Sequence, residues 1–99
     1  MNVPVRPSRP EGLPAPGQIQ ITVLAFARAR EAVGGSRLPL SLPAGSTVDA
    51  CLDEIGNRHA AIAAMRPGLL LAVNEAYAHG STPLRDGDTV ALIPPVSGG

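Results

Sequence analysis

The sequence predicts a small α+β domain, a mixed sheet packed on one main helix and followed by a flexible C-terminal tail. Three observations carry that prediction. Residues alternate with period two in segments 19–26, 38–42 and 89–93, the spacing of strands with one buried face. Between the second and third of these lies one stretch with helical spacing, Val48, Leu52 and Ile55. The 99 residues and 44% hydrophobic content suit one modest core, with no room for a second domain.

The first strand begins at Ile19. Ile19, Ile21, Val23 and Ala25 form one face and Gln20, Thr22, Leu24 and Phe26 the other, so the first set is the buried one. Arg28 to Val33 reads as a short helical turn, stopped by Gly34-Gly35, where a positive φ is easily adopted. Leu38, Leu40 and Leu42 alternate again, and because Pro39 and Pro43 cannot donate to a ladder this is an edge strand. After the Pro43-Ala44-Gly45 turn, Ser46 or Thr47 caps the main helix. Asp49 sits in its first turn, where the helix dipole favours an acid. Cys51 flanks the apolar stripe and reads as a small packed hydrophobe rather than a reactive thiol. Ala60 to Met65 continue helically as far as Pro67-Gly68. Leu69 to Val73 form a third strand, Asn74-Glu75 a turn, and Tyr77-Ala78 a short return strand. Asp86-Gly87-Asp88 turns the chain into the last strand, Thr89 to Ile93.

With one long helix available to cover one sheet face, this order is the beta-grasp, ubiquitin-like arrangement. Residues 19–93 make that domain. Phe26 and Tyr77 are its only aromatics, so the core is aliphatic. Residues 1–18 hold five of the eleven prolines and no hydrophobic period, the composition of a disordered leader. Residues 94–99 form the flexible tail ending in Gly98-Gly99.

Composition excludes several functions. Eight Arg balance eight Asp plus Glu, so no net charge draws the chain to nucleic acid or an anionic membrane. No Lys is present, which biased codon usage explains. The consequence is that no side-chain amine can accept an acyl group from another copy. The lone Cys51 excludes an intrachain disulfide, and no signal peptide or membrane span is visible, so a reducing cytoplasm is the expected compartment. His59 and His79 are too scattered for a metal site, and no phosphate-cradling glycine loop occurs. Asp53-Glu54 diverge on a helix, and Asp86 with Asp88 is turn material. No metal, nucleotide or other cofactor is therefore expected on the chain itself. Function is left to a surface or to a terminus.

The last strand runs into Pro94-Pro95-Val96-Ser97-Gly98-Gly99. Two prolines prevent pairing and favour an extended course, and six residues at ~3.3 Å each reach about 20 Å beyond the fold. Gly98 and Gly99 carry no side chain, so they can thread a narrow channel and offer the terminal carboxylate to another protein's active site. An ionised carboxylate is a poor electrophile and needs activation, commonly as an acyl-adenylate formed with ATP. A sulfur donor then converts the Gly99 carbonyl to a thiocarboxylate, whereas an amine converts it to a protein conjugate.

Residues 91–99, Ala-Leu-Ile-Pro-Pro-Val-Ser-Gly-Gly, resemble the terminus of molybdopterin synthase small subunits. Phe26-Ala27 with Arg30-Glu31, Ala72-Val73-Asn74, and Pro83-Leu84 before Asp86-Gly87-Asp88 follow the same family's order, so the resemblance spans residues 19–99. It implies that an ATP-dependent adenylating and sulfurating enzyme activates Gly99. The tail then enters the large synthase subunit, in a heterotetramer. There two carriers are consumed to build a dithiolene on a cyclic pyranopterin monophosphate. Carriers of the thiamine and cysteine pathways, a ubiquitin-like modifier and a plain interaction module are the alternatives.

Strand parity sets Phe26 with Gln20 and Thr22, and Ile93 with Thr89, so both apolar groups point away from the core. By the resemblance Tyr77 joins them in a docking patch at the root of the tail, with Pro94, Pro95, Val96 and Ser97 continuing the contact. Phe26 packed beneath the short helix is the competing arrangement. Arg30 stands at the rim or is simply solvated.

Overall fold

The computed structural model describes residues 17–95; the leader up to residue 16 and residues 96–99 of the tail lie outside the described residues. Strand β1, Gln18–Ala25, buries Ile19, Ile21, Val23 and Ala25 and leaves the intervening side chains partly exposed, the parity expected of it. Phe26 then leads into helix α1, Ala27–Val33, which ends on Gly34 at φ 80. Strand β2, Arg37–Pro43, pairs antiparallel with β1 and lies at the sheet edge, where its prolines do no harm.

The main helix α2, Val48–Arg58, is capped by Thr47, whose hydroxyl accepts from the Ala50 amide at 3.3 Å. Two more of its orphan amides are met from the loop before the last strand: Val48 donates to the Thr82 carbonyl at 3.0 Å and Asp49 to that of Gly80 at 2.8 Å. Val48, Cys51, Leu52 and Ile55 are its buried stripe. Helix α3, Ala60–Met65, contributes Ile62 to the core and passes through a 3-10 turn, Arg66–Gly68, into strand β3, Leu70–Val73. The return strand β4, Ala76–Tyr77, and the last strand β5, Thr89–Ile93, complete the sheet.

The strand order is β2-β1-β5-β3-β4, with β1 and β5 parallel at the centre and every other pair antiparallel. Ile21, Val23, Val90 and Leu92 on one face of that sheet join Val48, Ile55 and Ile62 in a single aliphatic core. This is the expected beta-grasp, and its other sheet face is uncovered.

The β3–β4 hairpin closes through Asn74 at φ 49 and Glu75 at φ 72, a two-residue loop with both central residues left-handed. Asn tolerates that region and Glu does not. Asn74 is also stapled in place, its side chain donating to Asp88 at 2.8 Å and accepting from the Thr89 amide at 3.0 Å. Glu75→Gly therefore raises stability by about 0.5–1 kcal/mol, read as a higher urea midpoint at unchanged slope.

Candidate functional site

The uncovered sheet face carries the candidate site. Cross-strand register places Arg37, Leu24, Ala91, Ala72 and Tyr77 in one row across β2, β1, β5, β3 and β4. The two alanines make a low floor, with Leu24 and Tyr77 standing higher on either side. Phe26 and Ile93 close the end nearest the exit of β5. The result is a concavity of about 600 Å³, apolar at its floor, with Arg37 toward one side and Glu75 toward the other. Neither charge belongs to an ion pair among the described residues, so both are available to a partner.

Phe26 is 47% and Tyr77 80% exposed, so neither belongs to the core and Phe26 is not packed away beneath α1. Its backbone explains why. The Phe26 amide donates to the Leu92 carbonyl at 3.2 Å, and its carbonyl accepts from the amides of Ala29 and Arg30. The following Ala27 takes φ 49, a left-handed conformation costing about 1–2 kcal/mol, which swings the chain from strand to helix while Phe26 stays on the sheet face.

The structure thus brings Phe26, Tyr77 and Ile93 together. Arg30 does not line this concavity. It is exposed on α1 and borders a smaller depression shared with Phe26 and Arg37. Pro94 is buried and Pro95 exposed. Val96, Ser97, Gly98 and Gly99 lie outside the described residues.

Leu24, Arg37, Glu75 and Leu70 were not read as site residues from the sequence. Leu24 shares the parity of Phe26 and was legible on that ground. Arg37 reaches the row only through its pairing with Leu24, and a register is not written in either strand alone. Leu70, 51% exposed, pairs with Ile93 and extends the apolar face.

Nothing around this face resembles catalytic machinery. Among the described residues no group of three His, Cys, Asp or Glu could hold a metal ion, and no helix is long and apolar enough to cross a membrane. Cys51 lies in the core, where burial pushes its thiol up to about 12 from an ordinary 9.0. A raised folded value favours the neutral thiol, so this contribution is complete below pH 9 and is lost as pH rises toward 12. Native Cys51 is expected to resist alkylation that proceeds readily in urea, and Cys51→Ala to flatten the fall in stability above pH 9. Rapid alkylation of the folded chain would contradict this placement.

Comparison with known proteins agrees with this geometry. The ThiS family matches residues 23–99. The molybdopterin synthase sulfur carrier subunit of Arabidopsis thaliana is 43% identical over 81 residues, which are 82% of this chain and 84% of the relative. A solved Pyrococcus furiosus structure described as molybdopterin converting factor, subunit 1, superposes with a TM-score of 0.72 at 30% identity, covering 79% of this chain and 99% of that one. The small archaeal modifier protein 1 of Methanosarcina acetivorans superposes at 0.71 with 27% identity, covering 83% and 98%.

Proposed function

The chain belongs to the ThiS family, and from that premise we propose that it is the sulfur-carrier subunit of a molybdopterin synthase, non-catalytic by itself, with Gly99 as the sulfur-bearing residue. One observation carries the reading: an exposed apolar concavity, flanked by unpaired charges, ends at Ile93, immediately before the segment that leads to Gly98-Gly99. That is a docking surface joined to a deliverable terminus. The 43% identity to a carrier of the same designation supports it.

In this reading the concavity seats the carrier first on an activating enzyme and later on the large synthase subunit. The Gly99 carboxylate attacks the α-phosphorus of ATP held by the activating enzyme, and pyrophosphate leaves. A sulfide-level nucleophile then displaces AMP to give the thiocarboxylate. ATP belongs to that enzyme's site, and this chain holds no cofactor. Inside the large subunit the thiocarboxylate sulfur attacks the cyclic pyranopterin monophosphate, and hydrolysis of the acyl link returns the carboxylate. Two such cycles supply the dithiolene. Phe26, Tyr77 and Ile93 contribute seating, Gly98 and Gly99 the passage through a narrow channel.

Reconstitution tests the proposal. The thiocarboxylated chain mixed with a large subunit and the pterin precursor is expected to form the dithiolene product. A mixture that stays inert, while the same large subunit works with the Arabidopsis carrier, contradicts it. The likeness to an archaeal modifier protein favours a second reading, conjugation of Gly99 to lysines of other proteins. It is recognised by Gly99-dependent adducts in a lysate supplied with ATP, which the carrier reading predicts to be absent.

A further inference from the structure

A line of contacts runs from α2 to the last described residues and has no part in seating a partner. Arg66, at the start of the 3-10 turn, donates from Nη1 to Asp53 at 2.6 Å and from Nη2 to Asp49 at 2.9 Å, so one guanidinium ties the turn to two carboxylates of α2. The turn closes with the Leu69 amide on the Arg66 carbonyl at 3.2 Å. Its last residue, Gly68, lies beside Pro95: a Cβ at Gly68 would stand 3.9 Å from Cγ and Cδ of the proline ring. Between β5 and that contact, Pro94 is buried. The chain is therefore not released at the end of the last strand but is held through two further residues.

We propose that Pro95, seated against Gly68 on a turn moored by Arg66, is a positioning device that fixes the direction and reach of the reactive end. The inference rests on the sulfur-carrier reading. Each proline fixes its own φ, and each keeps the residue before it extended, so the path from Ile93 to Pro95 has few soft torsions. Beyond Pro95 only four residues remain, spanning about 13 Å at most, against about 20 Å if all six were free. The volume a terminus can sweep scales with the cube of its reach. Anchoring the root thus raises the local concentration of the Gly99 carboxylate in a docked partner about fourfold by reach alone, and further by aim. The docking concavity sets where the carrier sits, and the moored root sets where its end points.

Two measurements on the full chain test this. A nitroxide is attached at Ser97→Cys, where buried Cys51 does not compete for the label. Paramagnetic broadening of backbone amides is then mapped in the otherwise native chain, in Pro95→Gly and in Arg66→Gln. The native map is expected to concentrate around Gly68 and Leu70, and to spread toward Phe26 and Tyr77 in both variants, with Arg66→Lys intermediate. With the activating enzyme, both variants lower kcat for adenylation at least fourfold while KM, set by docking, stays within twofold. A map unchanged in Arg66→Gln overturns the mooring, whatever Pro95→Gly does, and so does a rise in KM at constant kcat. If even the native chain is never adenylated, the carrier reading fails, and the label map still decides the root.

Discussion

A single alanine added after Gly99 abolishes adenylation of the carrier, by at least 100-fold, while its fold and its affinity for the activating enzyme stay as they were. The expectation follows from what the terminus has to do. The carboxylate must reach the α-phosphate in line for displacement, and an added residue moves it by about 3.5 Å, where far smaller misplacements already cost two orders of magnitude. Alanine also brings a Cβ into a passage that glycines can thread. Docking rests on the sheet face around Phe26, Tyr77 and Ile93, which the extension does not touch. ATP–pyrophosphate exchange dependent on the carrier reads the effect, and binding measured in parallel separates it from lost affinity. Undiminished exchange by the extended chain would remove Gly99 from its assigned role.

The second large effect lies on the sheet. Phe26→Glu with Tyr77→Glu is expected to weaken binding to both partners by 100-fold or more, since exposed aromatics in a concave apolar patch commonly contribute about 2 kcal/mol each or more. Both side chains are substantially exposed, so the urea midpoint should shift little. That combination, lost binding with a retained fold, distinguishes a docking face from a packing face. Calorimetric titration of the double variant against each partner checks it, and native-like affinity would show that the partners sit elsewhere. Arg30→Ala is expected to do much less, because Arg30 lies outside the concavity.

Much of this architecture was legible because the local signals are strong and agree. Alternation in residues 19–26 identified each buried residue of β1, and the Thr47 cap, the Gly34 stop and the Asn74-Glu75 turn stand where the sequence placed them. What remained hidden depends on pairing between distant segments. Leu69 and Leu70 read as one strand, yet Leu69 ends the 3-10 turn facing the core, while Leu70 pairs with Ile93 on the open face. The row from Arg37 to Tyr77 exists only once four registers are set. Pro94 and Pro95 were read with the tail. The burial of Pro94 and the approach of Pro95 to Gly68 come from the turn after α3, which no pattern around the prolines announces.

The most direct test of the carrier chemistry is the intact mass of the full chain after incubation with its activating enzyme, ATP and a sulfide-level donor. The account predicts a gain equal to one exchange of oxygen for sulfur, with fragmentation placing it on Gly99 and omission of ATP abolishing it. An unchanged mass while ATP is turned over, or sulfur found on Cys51 in place of Gly99, would contradict it.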